Sequence, residues 1–176
     1  MPYLQRAVDK PFGLMPSGGP QRIRAYNKDV LAARIFPGDV VMREADGNVA
    51  VITAGTETNI LGVSAEPSAA LTADTEVLVY DDPEQEFVCQ DDSAGAFFAQ
   101  TNEGENAAIV VTTGNTTTDR SNHELDISTA GTPAAPLKIV RLHPFETGFA
   151  AANGNPRRII VKINPANHLY ATGAGI

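Results

Sequence analysis

Apolar positions along this chain come in short bursts cut off by turn residues, and no long stretch shows the three-to-four spacing of a helix. Alternating or near-continuous Val/Ile runs predict strands at Asp39-Val-Val-Met-Arg43, Val49-Ala-Val-Ile-Thr53, Asn59-Ile-Leu-Gly-Val-Ser64, Glu76-Val-Leu-Val-Tyr80 and Glu86-Phe-Val-Cys-Gln90. Phe36-Pro-Gly-Asp39, Ala45-Asp-Gly-Asn48, Ala54-Gly-Thr56 and Asp81-Asp-Pro-Glu84 separate them. Pro presets φ, Gly accepts positive φ, and Asp and Asn bond the backbone locally, so these are turns. Gly62, inside an otherwise apolar strand, marks a place where a second backbone or a tight bend comes close.

The pattern continues more sparsely. Strands are predicted over 96–100, 108–112, 137–142 and 158–164, and a short one where Leu125 and Ile127 alternate with Glu124, Asp126 and Ser128. The connection over 113–133 exceeds the usual loop length, so it is expected to pack on something or to carry strands of its own. A second excursion, over 144–156, is rich in Gly and Asn. The fold class is therefore all-β: a small antiparallel β-barrel or sandwich over 27–90, and an added β-rich section over 91–176 whose last strand closes the fold.

Residues 1–26 differ. Pro2, Pro11, Pro16 and Pro20 break any apolar period, and Arg6, Lys10, Arg22, Arg24 and Lys28 put local positive charge ahead of an acidic body. Tyr3, Leu4, Phe12, Leu14 and Met15 are too apolar for a segment that is only solvated. The reading is an extended arm that orders on a partner's surface or sheet edge, leaving a folded barrel if it is removed.

Composition narrows the functions. The net charge of −8 and the low pI oppose phosphate backbones and anionic membranes, so neither nucleic acid nor membrane is an expected partner. No apolar run reaches the ~18 residues of a membrane-spanning helix, and the first residues lack the form of a signal peptide. A soluble protein assembled in a cytoplasm is expected. The lone Cys89 sits in an apolar run and is expected to be a buried hydrophobe. No Lys occurs from 29 to 137, which suits close subunit contact, where ordering long Lys side chains would cost entropy.

Chemistry is thin. His123, His143 and His168 have no metal-ligand spacing, and Asp81-Asp82 and Asp91-Asp92 read as turn formers. Ser121, His123 and Asp126 lie near one another in sequence but lack a nucleophile elbow. Gly114-Asn-Thr-Thr-Thr-Asp-Arg-Ser121 lacks the Lys of a phosphate loop. No cofactor, metal or catalytic residue is expected.

Four stretches, Phe36-Pro-Gly-Asp-Val-Val41, Asn59-Ile-Leu-Gly-Val-Ser64, Gly114-Asn-Thr-Thr-Thr-Asp-Arg-Ser-Asn-His-Glu-Leu-Asp126 and Ile160-Val-Lys-Ile-Asn-Pro-Ala-Asn-His168, stand in an order that resembles the tailed-bacteriophage capsid decoration, or cement, proteins. That resemblance implies a homotrimer on the outer face of an icosahedral head, clamping neighbouring major capsid protein subunits. It assigns capsid binding to the arm residues Tyr3, Leu4, Arg6, Phe12, Leu14, Met15, Arg22 and Arg24. It assigns contact between subunits to the loop residues Asn115, Arg120, His123, Phe145 and Phe149. A glycan- or surface-binding β module of a phage or bacterium is the other reading, with Phe145, Phe149 and Tyr170 as its aromatic platforms.

Overall fold

Short Val/Ile bursts have too few residues to bury a helical stripe, but each can present one or both faces of a strand. A computed structural model of the chain, describing residues 9–19, 21–28, 33–69, 76–92, 98–146 and 156–171, places eleven strands in two antiparallel sheets. These are β1 (Met15–Pro16), β2 (Ile23–Asn27), β3 (Val40–Arg43), β4 (Val49–Val51), β5 (Ile60–Ser64), β6 (Glu76–Tyr80), β7 (Glu86–Gln90), β8 (Asn106–Val110), β9 (Glu124–Asp126), β10 (Leu137–Leu142) and β11 (Arg158–Ile163). Only two single 3-10 turns, Gln100–Asn102 and Ile127–Thr129, interrupt the β structure of the described residues.

One sheet runs β2-β6-β5-β3-β4 and the other β1-β7-β11-β10-β8-β9. Both curl. In the first, a single bridge from Lys28 to Val49 brings the chain leaving β2 against β4; in the second, Asp91 bridges to Leu125 of β9. Neither pair of edges joins along its length, so the arrangement is sandwich-like and the barrel stays open. The division between sheets falls between β6 and β7, not after Gln90, because β7 pairs with β11 from Arg158↔Gln90 to Lys162↔Glu86.

Two apolar cores result. The larger fills the space between the sheets with Leu14, Val40, Ile60, Phe87, Leu125, Ile139 and Val161 among others. The smaller, Ile35, Val41, Val49, Leu61, Val77, Val79 and Leu169, sits in the curl of the five-stranded sheet. Alternation explains the partition: along β3, Val40 and Met42 face the first core and Val41 the second.

Gly62 meets its expectation. A Cβ there would stand 2.0 Å from the Tyr80 carbonyl oxygen of β6. Cys89 is a buried free thiol, and burial pushes its ionisation upward. The short strand expected around Leu125 is β9, which ends in the 3-10 turn that takes Ile127. The strand expected over 96–100 falls partly on residues outside those described, and Gln100 begins a 3-10 turn.

The arm reading requires correction over residues 9–19 and 21–26. Met15 and Pro16 pair with Val88 and Phe87. Residues Ile23 to Asn27 pair with Tyr80 to Glu76, and Leu14 is wholly buried. Pro16 is tolerated because β1 is an edge strand, where a missing N–H leaves no ladder bond unmade.

Candidate functional site

The basic residues assigned to partner binding converge on one carboxylate of their own chain. Asp81, fully buried where β6 ends, accepts a hydrogen bond from Arg22 Nε at 2.8 Å and one from the Tyr26 hydroxyl at 2.5 Å. Arg22 Nη2 also donates to the Asp81 carbonyl at 2.7 Å, and Arg24 Nε lies 3.4 Å from Oδ2. The hydroxyls of Tyr26 and Tyr170 are 3.0 Å apart, and the Arg24 guanidinium stands 5.7 Å from the Tyr170 ring centroid. Asp81 raises the Arg24 pKa, while desolvation, then the Asp81 hydrogen bond, drives that of Tyr26 upward. Arg22 and Arg24 are thus bound at home, although both remain partly in solvent. Phe12 and Met15 are half-buried. Tyr3, Leu4 and Arg6 lie outside the described residues.

His123 also needs correcting as a subunit-contact residue: it is 1% exposed. Its Nδ1 accepts from the Val40 amide at 3.2 Å, which puts the proton of the neutral ring on Nε2. Nε2 faces Asp39 Oδ1 at 3.7 Å, beyond hydrogen-bond length. Burial lowers the His123 pKa to about 4, so at neutral pH the ring is uncharged and this contact is not an ion pair. Burial raises Asp39 to about 6, with the nearby Ser121 hydroxyl and the hydrogen bond from the Phe36 amide pulling the other way. Ser121 Oγ accepts from the His123 amide at 3.0 Å. The buried neighbour of this histidine is Asp39, a residue legible in sequence only as part of a Pro-Gly-Asp turn.

A carboxylate group gathers where β7, β9 and the first described residues meet. Gln90 Nε2 donates to Asp9 Oδ1 and to Glu124 Oε1, each at 2.9 Å. Desolvation first, then Asp9, Asp92 and Asp91, raises Glu124 to about 7, and desolvation raises Asp91 to about 6. Groups with raised carboxyl pKa values stabilise the fold fully below their unfolded values and lose that contribution as pH rises through the folded ones. His123 and His168, both lowered to about 4 mainly by burial, do the reverse between the usual histidine value and that point. The opposed contributions predict a flat stability profile across roughly pH 4–7. Glu124→Gln should separate them: no change in melting temperature near pH 4.5, and a gain at pH 8 worth about 1 kcal/mol after allowance for solvent screening. Thermal unfolding at the two pH values checks it, and an equal effect at both would refute the assignment.

The exposed elements are loops and one sheet edge. Asn115 and Arg120 pair across a tight turn, the Asn115 amide donating to the Arg120 carbonyl at 2.7 Å, and both side chains are exposed. Phe145 is 81% exposed, its ring 5.2 Å from that of His143. Phe149 lies outside the described residues. Sequence reasoning missed Ile23 and Leu78, at 41% and 37% exposure. Both point to the side of the five-stranded sheet that faces the larger core, but near the edge formed by β2. Alternation in Ile23-Arg-Ala-Tyr-Asn27 was the available signal, and the prolines around it masked it.

Among the described residues no three His, Cys, Asp or Glu side chains lie close enough to hold a metal ion. No protein-family model matches the chain, and no curated protein or solved structure matches it either.

Proposed function

We propose that this chain is a structural virion protein: a homotrimer that decorates the outer face of an icosahedral phage capsid and clamps adjacent major capsid protein subunits, assembled in the host cytoplasm. The observation that carries the reading is the edge of the five-stranded sheet. There β2 is the outermost strand, and Ile23 and Leu78 expose apolar side chains beside it. Open edges with apolar neighbours invite pairing with another chain, and natural proteins usually blunt them with Lys or Pro. Across the lattice of a shell, many modest contacts of this kind add by avidity. The contact surface is therefore this edge and the Asn115–Arg120 turn, without Arg22 and Arg24, which Asp81 already holds.

Co-sedimentation with empty heads of the cognate phage tests it. Wild-type protein should pellet with heads and sediment alone as a trimer, and the folded double variant Ile23→Asp/Leu78→Asp should stay in the supernatant. Unimpaired head binding by that variant would overturn the edge assignment, and absence of head binding by the wild type would overturn the function.

One observation favours the glycan-binding reading. Tyr170, 42% exposed beneath the Arg24 guanidinium, forms an aromatic platform of the sort sugars stack on. A monomer that is retained on a glycan surface and loses retention in Tyr170→Ala would support it over the capsid role.

A further inference from the structure

The cleft between the ends of β4 and β8, about 210 Å³ in volume, holds a polar group that nothing in the fold explains. It is lined by the aliphatic Val51, Ile52 and Val111, by the exposed Thr53 and Thr112, and by the buried Asp39 and His123. The Asp39 side chain is 3% exposed. Oδ2 accepts from the Phe36 amide at 2.8 Å, but Oδ1 is buried with no hydrogen-bond partner. A buried carboxylate oxygen without a donor costs more than almost any other unmet polar group. Neither neighbour meets the need: His123 is neutral and too far away, and the Ser121 hydroxyl, although it acts on Asp39, makes no hydrogen bond to Oδ1.

Nor does Arg34, the Lys or Arg side chain that lines the cleft. Arg34, at the rim, donates from Nη2 to Asp119 at 2.7 Å, with its guanidinium held 5.0 Å from the Phe36 ring centroid. Lys28 donates to the Ala69 carbonyl, Lys138 to that of Gly104 and Lys162 to Glu84. The Arg34–Asp119 pair cancels, which leaves the cleft with one net negative charge, on Asp39.

We propose that this cleft binds a primary ammonium group carried on an aliphatic stem, the chemistry of a partner's lysine side chain or of a small alkylamine. The stem lies against Val51, Ile52 and Val111, and the ammonium donates to Asp39 Oδ1. A guanidinium fits less well, because its planar fork seeks both oxygens of a carboxylate and Oδ2 is already taken. A metal ion would need further ligands, and the described residues bring no third one near. The chain is acidic overall and lacks Lys from 29 to 137, so the cation comes from outside this part of the chain. The inference does not depend on the capsid reading; it needs only the geometry of the cleft.

The test is an NMR titration of the full-length protein at pH 7.5, following the Thr112 and Thr113 amides and the His123 ring. The probes are n-butylammonium and a blocked pentapeptide with a central lysine. Both should give saturable shifts, and the same peptide acetylated on its lysine should give none. Asp39→Asn should weaken binding by roughly tenfold or more, equivalent to ~1.4 kcal/mol. Should that variant fail to fold, Thr112→Trp decides, since it fills the cleft from an exposed position without touching Asp39, and it should weaken binding as much. Binding should fade as pH falls through about 6, where Asp39 takes up a proton; the other charged or titratable groups facing it are His123, Arg34 and, through Arg34, Asp119. Tighter binding of the peptide assigns the site to a partner's side chain, and equal binding assigns it to a free amine. Full binding by Thr112→Trp, equal shifts from the acetylated peptide, or no saturable shift with either probe overturns the proposal.

Discussion

Leu14→Ala is expected to cost about 2–5 kcal/mol in urea denaturation, the range for emptying a fully buried leucine site. Leu14 is 0% exposed and packs into the core between the sheets with Phe87, Leu125 and Val161. Its amide donates to the Gly38 carbonyl at 3.0 Å, and a Cβ on the neighbouring Gly13 would lie 2.4 Å from Ser121 Cβ. That segment is therefore wedged beside the turn that carries Asp39, with no space for a sliding arm. Phe12→Ala, at a half-buried position, should cost less. A loss below ~1 kcal/mol for Leu14→Ala would mean that the segment lies loosely on the body, and the arm reading would return. By the same logic, deletion of 1–26 removes β1 and β2 and exposes the edge of β6, so it is not a clean test of partner binding.

The strands that sequence made legible share one property: each has enough aliphatic or aromatic residues to declare its faces without help. β3, β5, β6, β7, β10 and β11 all lie within two residues of their expected bounds. β1 is too short to declare a face, and the prolines around β2 mask its alternation. Their residues are ordered by partners some fifty to seventy positions away, Met15 by Val88 and Tyr26 by Val77, and a local pattern does not record such pairing. The prolines argued correctly against a helix, but they do not argue against an edge strand.

The sites follow the same division. Burial of Cys89 was readable because its neighbours Phe87 and Val88 set the period. His123 looked like a loop residue because its hydrogen-bond partner, the Val40 amide, is 83 positions away. Arg22 and Arg24 looked available because Asp81 reads locally as a turn former, yet folding brings it between them. Charge in sequence shows what a group can pair with. Whether it stays free for a partner depends on what the chain brings home first.

Gly62→Ala should be the more damaging single substitution on the other sheet, with loss of about 3 kcal/mol or more and, in the severe case, no folded protein at all. Overpacking usually costs 1–3 kcal/mol because side chains can turn aside. Here the added carbon would meet backbone, 2.0 Å from the Tyr80 oxygen, with Val79 Cγ1 at 2.9 Å. β5 and β6 pair at Val63↔Tyr80 and Ser64↔Val79, so relief requires that the two strands separate. Separation would travel outward, since Tyr80 is also the register partner of Ile23 and Val79 that of Arg24. The exposed edge proposed to meet neighbouring chains would then lose its register together with the fold. Denaturation midpoints and amide exchange of β2 and β6 check this: early exchange in both strands is the expected signature. A stable Gly62→Ala protein with native protection in β2 would show that the sheet yields where its backbone contacts say it cannot.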